Sequence, residues 1–191
     1  MRRVILFSNF STLSDKDGFL KALFPDEMKQ KKFGYIPPDG MQKSFYADVW
    51  KDCCSRYKAD FSYIDIESPH QQSAILDSNI LLFTGGNTFQ LLDNLHKNAL
   101  FETVKEFTNK DEFVIAGFSA GALLLTPTIQ LAEDEDENVV DIQNLEGLGL
   151  VDFEIYPHYT ENKKEFIEKY TQEMERKVVP IRDEEFIVMD L

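Results

Sequence analysis

The segment 113–125, which reads FVIAGFSAGALLL, constrains the fold more than any other part of the chain. It opens with a short apolar run rich in β-branched and aromatic residues, as is typical of a strand covered on both faces. Residues 117–121 match the G-x-S-x-G pattern, in which a strained strand-to-helix turn exposes the serine hydroxyl. Residues 120–125 then begin a helix, which Pro127 ends. The segment therefore predicts a buried strand, a sharp turn that presents Ser119, and a helix.

Segments that suit strands and helices alternate along most of the chain. Strands are predicted at residues 4–7, 33–36, 61–66, 79–84, 113–116, 153–156, 178–181 and 185–189. Helices are predicted at residues 15–24, 44–58, 89–95, 99–108, 120–125 and 162–176, with a shorter one within 69–77. This alternation is typical of an α/β fold with an open, mostly parallel twisted sheet and helices on both faces. No linker or repeat interrupts it, so residues 1–191 are predicted to form a single domain.

Apolar spacing also predicts which side chains of two helices face inward. They are Phe45, Val49, Cys53 and Tyr57 in the first helix, and Phe166, Ile167, Tyr170 and Met174 in the second. The sequence PPDG at residues 37–40 predicts a turn between the second strand and the next helix.

The composition limits the kinds of partner that the chain can bind. With 34 acidic and 20 basic residues, its formal net charge is −14, which argues against nucleic acid and anionic membranes as partners. The adjacent Cys53 and Cys54 offer neither a disulfide framework nor a metal-ligand spacing. The residues after Met1 do not resemble a signal peptide, and no apolar run approaches the ~20 residues that span a bilayer. We therefore expect a cytoplasmic protein, without a metal, that can form a homodimer.

Three predicted strands end in loops that carry suggestive residues. In an open parallel sheet, ligands bind at the carboxyl ends of the strands, where the loop 85–87, Ser119 and His158 are all expected. A serine needs a base within hydrogen-bond reach, and His158 is the best candidate. The N–H groups of Gly86 and Ala120 would form an oxyanion hole. Each feature also has an ordinary interpretation: a chance motif, a loop histidine, or a simple glycine turn.

The motifs GGNTFQLL (85–92) and GFSAGALLL (117–125), followed by Pro-His-Tyr at 157–159, resemble the dipeptidase E (α-aspartyl dipeptidase) family of serine peptidases. The resemblance covers most of the chain. It implies a flavodoxin-like fold similar to that of class I glutamine amidotransferases, with serine in place of their nucleophilic cysteine. It also implies that short peptides are the substrates and that no cofactor is needed.

The resemblance further implies a role for individual residues. Ser119 matches the nucleophile and His158 the general base, while Gly86 and Ala120 match the oxyanion-hole donors. Asp134 and Asp183 both match acidic positions that can orient the histidine, and we prefer Asp134. Glu184, the neighbour of Asp183, is a third candidate.

The sequence departs from the family in one respect and leaves two other functions open. Aspartyl dipeptidases hold the substrate carboxylate with arginine, but after His158 this chain has Lys163 and Lys164 and no arginine before Arg176. A preference for N-terminal aspartate therefore does not follow. The acidic run 133–137 is interpreted as a solvated loop. The alternatives to a peptidase are a non-catalytic binding or regulatory member of the same fold and, third, a small-ester hydrolase.

Overall fold

A computed structural model describes residues 1–28, 31–37 and 45–191, without the side chain of Phe45. The turn predicted at 37–40, apart from Pro37, and the inward position predicted for Phe45 therefore lie outside the described residues.

Most strands of the described chain form one six-stranded sheet. Its members are β1 (Arg2–Phe7), β2 (Lys32–Ile36), β3 (Asp60–Tyr63), β4 (Ile80–Phe83), β5 (Phe113–Phe118) and, late in the chain, β8 (Phe186–Asp190). They lie in the order β3-β2-β4-β5-β1-β8. The first five are parallel, and β8 pairs antiparallel with β1. The prediction of an open, mostly parallel sheet is confirmed.

The helices follow the strands as the alternation predicts. They are α1 (Lys16–Leu23), α2 (Phe45–Tyr57), α3 (Gln72–Asp77), α4 (Thr88–Lys97), α5 (Phe101–Phe107), α6 (Ala120–Leu124) and α7 (Lys164–Met174). Two 3₁₀ helices span Gln130–Asp134 and Glu161–Lys163. Two further strands, β6 (Glu154–Tyr156) and β7 (Val178–Pro180), form a separate parallel pair beside the main sheet. None of the helices in the described part of the chain is long and apolar enough to cross a membrane.

The main sheet is buried on both faces, and this explains why its central strands read as unbroken apolar runs. In β1, Val4 and Leu6 belong to one hydrophobic core, whereas Ile5 and Phe7 belong to the other. The first core is mainly aliphatic and includes the buried faces of α4, α5 and α6. The second core is rich in aromatic rings and includes Trp50 of α2.

One inward prediction is wrong. Phe166 of α7 is 37% exposed, although Ile167 beside it is buried. The apolar stripe of this helix is narrow and centred on Ile167 and Tyr170, so Phe166 lies at its edge. There its ring packs edge-on against Tyr156, with the ring centroids 6.0 Å apart.

The sheet order decides where the functional residues meet. β1, β5 and β4 are adjacent and parallel, so the loops that follow them lie at the same edge of the sheet. These loops carry residues 8–14, Ser119 and residues 84–87 respectively. His158, which follows β6, lies at the same edge. Its N–H donates a hydrogen bond at 3.1 Å to the buried hydroxyl of Ser8, the first residue after β1.

Candidate active site

Ser119 occupies a strained turn between β5 and α6. Its backbone has φ 52° and ψ −110°, outside the conformations that a residue with a Cβ ordinarily adopts. The Ser119 N–H donates to the Phe7 carbonyl oxygen at 2.9 Å, which ties the turn to the neighbouring strand. The predicted strand, turn and helix are therefore present at the predicted residues.

The two glycines of the motif are required because backbone packs against backbone at this turn. A Cβ added to Gly117 would lie 2.4 Å from the Gly121 carbonyl oxygen. A Cβ added to Gly121 would lie 2.3 Å from the carbonyl oxygen of Phe83 in β4. Any side chain at either position would push the helix away from the sheet and displace Ser119.

His158 joins Ser119 to a carboxylate. Its Nε2 lies 2.9 Å from the Ser119 Oγ, and its Nδ1 lies 2.6 Å from the Asp183 Oδ1. A carboxylate accepts hydrogen bonds, so Nδ1 carries the proton in the neutral ring and Nε2 accepts from the serine hydroxyl. The side chains of His158 and Asp183 are 41% and 40% exposed. This is the arrangement that can remove a proton from a serine hydroxyl and stabilise the resulting imidazolium.

The carboxylate beside the imidazole is that of Asp183, which corrects our preference for Asp134. Asp134 ends the first 3₁₀ helix, where it accepts from the Tyr156 hydroxyl and, at 2.6 Å, from Lys163 Nζ. Burial raises the pKa of Asp134, but these hydrogen bonds and the Lys163 charge outweigh it, so this pKa lies below its usual value. The burial of Tyr156 and its hydrogen bond to Asp134 raise the pKa of the Tyr156 hydroxyl. Asp134 therefore pairs with Lys163 and not with His158.

The third candidate, Glu184, contributes through its backbone. Its carbonyl oxygen accepts from the N–H of Ser14 at 3.1 Å and from the hydroxyl of that serine at 2.9 Å. The carbonyl oxygen of Asp183 accepts from the Thr12 hydroxyl at 2.8 Å. The loop after β1 therefore holds the segment that presents Asp183 to the imidazole.

The structure also brings the predicted glycine loop to the serine. A Cβ added to Gly85 would lie 3.2 Å from the Ser119 Cβ, so the two turns are in direct contact. Gly86 has φ 155°, which favours glycine. Ala120 is buried as the first residue of α6. Both residues predicted to donate to an oxyanion therefore flank Ser119.

Ser119, His158 and Gly86 line a common cavity of about 220 Å³. Its wall contains apolar residues together with two acidic ones, Glu135 and Asp136. The remaining lining residues are Thr88, Leu123, Leu131, Ala132, Tyr156 and Pro157. A larger surface depression of about 520 Å³, bordered by Asp26 and Arg56 among others, contains none of the predicted site residues.

The acidic run 133–137 is largely exposed, as expected for a solvated loop, but Asp136 within it is anchored to the loop after β4. Asp136 Oδ2 accepts from the N–H of Thr88 at 2.8 Å and from its hydroxyl at 2.6 Å. The Asn87 side chain donates to the Glu137 carbonyl oxygen at 2.8 Å. Within the described residues, no three His, Cys, Asp or Glu side chains are grouped as metal ligands would be.

Arg176 does not contribute a cation to the cavity. Its guanidinium donates at 2.5 Å to Glu154 Oε1, and the Glu154 side chain is only 1% exposed. Lys163 is held by Asp134 and, at 3.1 Å, by Glu135. Among the described residues that line the cavity, none is an arginine or a lysine.

Ser8 is a site residue that our sequence reasoning missed. It is fully buried, accepts from the His158 N–H, and donates to the Ile181 carbonyl oxygen at 2.9 Å. It therefore joins the end of β1 to the backbone of His158 and to that of Ile181, two residues before Asp183. The available signal was its position: Ser8 is the first polar residue after β1, at the carboxyl edge of the sheet.

The fold is shared with two solved structures. One is the crystal structure of a protein assigned as a peptidase E from Listeria monocytogenes, with a TM-score of 0.76 and 24% identity over 100% of this chain and 99% of that one. The other is a peptidase from an acI-B1 actinobacterium, with a TM-score of 0.68 and 21% identity over 99% of this chain and 83% of that one. At these identities the likeness concerns the fold.

Sequence relatives carry peptidase names. Peptidase E of Nostoc sp. is 27% identical, over 83% of this chain and 66% of that protein. An uncharacterized peptidase of Listeria monocytogenes is 28% identical, over 98% of this chain and 94% of that protein. Peptidase E of Escherichia coli is 36% identical, but over only 46% of this chain and 37% of that protein. The chain thus spans less than two thirds of the Nostoc and E. coli relatives.

The model of peptidase family S51 matches residues 4–190, which include every element of the site from the loop after β1 to Asp183. This match and the names of the relatives confirm the resemblance to the dipeptidase E family. The chain belongs to peptidase family S51.

Proposed function

We propose that this protein is a serine peptidase that hydrolyses short peptides through an acyl-enzyme. The observation that carries the proposal is the continuous hydrogen-bonded arrangement of Ser119, His158 and Asp183, of which Ser119 and His158 line a cavity. Membership of family S51 supports peptide hydrolysis as the reaction class.

In the first half of the reaction, the Ser119 Oγ attacks the carbonyl carbon of the scissile peptide bond while His158 Nε2 takes its proton. The carbonyl oxygen becomes an oxyanion that accepts hydrogen bonds from the N–H groups of Gly86 and Ala120. The imidazolium is stabilised by Asp183 and returns the proton to the leaving amine as the C–N bond breaks. The acyl group remains on Ser119 as an ester.

In the second half, water replaces the departed amine. His158 takes a proton from this water, whose oxygen attacks the ester carbonyl and passes through a second oxyanion in the same hole. The bond to Ser119 Oγ then breaks, and His158 returns the proton to the serine. The free acid leaves, and the protein is restored with its proton count unchanged.

A small cavity is the reason for proposing short substrates. The cavity that Ser119 lines is about 220 Å³, and Leu123, Leu131 and Ala132 are part of its lining. Extended polypeptides require a longer groove of subsites, whereas a di- or tripeptide presents little more than the residue next to the scissile bond.

The two alternative functions explain less of the geometry. A non-catalytic binding protein has no need for a carboxylate within hydrogen-bond reach of the histidine, and here that distance is 2.6 Å. A general small-ester hydrolase gives no particular role to the loop 85–88, which here touches the serine turn and lines the cavity.

Labelling with a fluorophosphonate probe tests the proposal directly. We expect one covalent adduct, located at Ser119 by peptide mass mapping, and no adduct in Ser119→Ala. Ser11→Ala, which alters an exposed serine in the loop after β1, is the matched control and retains the adduct. An unlabelled wild-type protein, or labelling that survives Ser119→Ala, would contradict an activated serine at this position.

A further inference from the structure

We propose that Asp136 is a positioning residue for the oxyanion hole: it fixes the loop that presents the Gly86 N–H. This inference rests on the proposed function. It assigns a task to the acidic run, which the sequence pattern alone interprets as solvated surface.

The loop is held from one side through Asp136. A single carboxylate oxygen, Oδ2, accepts both from the N–H of Thr88 at 2.8 Å and from the hydroxyl of Thr88 at 2.6 Å. Thr88 is the first residue of α4 and lies two residues after Gly86. Asp136 is 48 residues away along the chain, so this contact ties the cavity wall to the loop after β4.

A second pair of bonds acts on the residue between them. Asn87 accepts from the Gln90 N–H at 3.0 Å and thereby caps α4, while its side-chain amide donates to the Glu137 carbonyl oxygen at 2.8 Å. Asp136 therefore binds Thr88, and the Glu137 backbone binds the neighbouring Asn87, so two adjacent contacts hold this loop. Gly86, whose φ of 155° favours glycine, directly precedes these two anchored residues.

Removing the carboxylate would leave Thr88 without partners for two buried donors. Thr88 is only 1% exposed, and an unpaired buried N–H or O–H is unfavourable. The adjoining Phe89 is fully buried and holds α4 in place. The loop before it is the part that can relax, either toward a new acceptor or to admit water from the cavity. Either movement displaces the Gly86 N–H from the position of the oxyanion.

The negative charge of Asp136 is stabilised by the N-terminus of α4. A free carboxylate beside an oxyanion hole would oppose the negative charge that develops on the substrate. Asp136 instead faces the N-terminal N–H of α4, a ten-residue helix, where a negative charge is favourable. Glu133, in the same acidic run, is exposed and provides a matched comparison.

The test is a set of variants assayed on the dipeptide that wild type cleaves best. We expect Asp136→Ala to lower kcat by on the order of 10- to 100-fold, the range for a misplaced catalytic group, with KM nearly unchanged. Asp136→Asn keeps an acceptor oxygen and should recover most of the loss. Thr88→Val removes only the hydroxyl donor and should lower kcat less than Asp136→Ala, and the double variant should be no worse than Asp136→Ala. Glu133→Ala should match wild type.

Binding of a dipeptide aldehyde separates positioning from a loss of stability. The aldehyde adds to Ser119 to form a tetrahedral adduct that uses the oxyanion hole, so its affinity should fall in parallel with kcat across the series. Affinity for the leaving amino acid, whose amine does not use the oxyanion hole, should change little, and thermal unfolding shows which variants are folded.

Three results would overturn the inference. Asp136→Ala with wild-type kcat and aldehyde affinity would show that the loop holds itself, as would a kcat that rises once the charge is gone. Additive losses in the Thr88 and Asp136 variants would show that their contact is not the source of the effect. Absence of fluorophosphonate labelling in the wild type would instead defeat the proposed function, and the inference with it.

Discussion

Replacing Asp183 with asparagine tests which carboxylate orients the imidazole. Asparagine has nearly the same shape, but its amide can turn an N–H₂ donor toward His158 Nδ1, which now lies 2.6 Å from a carboxylate oxygen. The ring then carries its proton on Nε2 and cannot accept the serine proton. The positive charge that forms on the imidazole also loses its counter-charge.

The exposure of the pair sets the size of the effect. Two unit charges about 4 Å apart attract by ~1 kcal/mol in water and ~4 kcal/mol at an effective dielectric constant of 20. With 41% and 40% of the two side chains exposed, this pair lies between those limits. Since ~1.4 kcal/mol corresponds to a tenfold change in rate, kcat should fall by roughly 5- to 1,000-fold. The change of tautomer favours the upper end, although the ~10⁴-fold loss of a fully buried triad is not expected.

The assay is steady-state hydrolysis of a dipeptide together with the rate of fluorophosphonate labelling, for Asp183→Asn and for Asp134→Asn. Asp134 is engaged by Lys163 and Tyr156, so its asparagine variant should retain nearly all of the wild-type kcat. Our reasoning is refuted if Asp183→Asn is as active as wild type, or if Asp134→Asn loses as much activity as Asp183→Asn.

Three further predictions concern specificity, acid stability and the support of the histidine. Glu135 lines the cavity and, within the described residues, no arginine or lysine does, so Ala-X and Leu-X should be cleaved with higher kcat/KM than Asp-X at low salt; preferential cleavage of Asp-X would contradict this. The pKa of Asp134 is lowered on folding, so its contribution to the free energy of unfolding is present above its usual pKa of 3.8 and is lost as the pH falls below it. The stability difference between wild type and Asp134→Asn should therefore shrink between pH 5 and about pH 2 in urea unfolding, with Glu133→Gln as the exposed control; a constant difference would show that the ion pair is not its source. Ser8→Ala leaves the His158 N–H unpaired and should lower the free energy of unfolding by about 1–3 kcal/mol and also lower kcat, whereas Ser11→Ala should change neither. Full activity in Ser8→Ala would show that the histidine is held by other contacts.

The parts of the site that were predicted from the sequence are those encoded by short local patterns. The turn at Ser119 needs glycines at fixed positions because backbone meets backbone there. The loop at Gly86 follows an unmistakable apolar strand, and His158 follows another. Once a parallel sheet is recognised, the rule that ligands bind at carboxyl ends places all three residues at one edge.

The acidic members could not be assigned in the same way. Asp134 and Asp183 are both aspartates in polar segments, and nothing within a few residues of either records what it will face. Which aspartate reaches the imidazole depends on long-range packing. Asp134 binds Lys163, which is 29 residues away along the chain, whereas the loop after β1 holds Asp183 beside the imidazole. Asp136 shows the same difficulty, because its partner Thr88 is 48 residues distant.

The spacing of the triad along the chain has a consequence for protein synthesis. His158 follows the serine by 39 residues and Asp183 follows the histidine by another 25. At ~5–20 residues per second, a ribosome therefore takes several seconds to add the orienting carboxylate after it has added the nucleophile. The loop that holds Asp183 lies between β7 and β8, and β8 pairs with β1, so this part of the sheet closes only after nearly all of the described chain has been made. A half-made polypeptide therefore contains the serine without its orienting carboxylate. Its hydrolytic activity should appear only when β8 pairs with β1 and completes the sheet, at the end of folding.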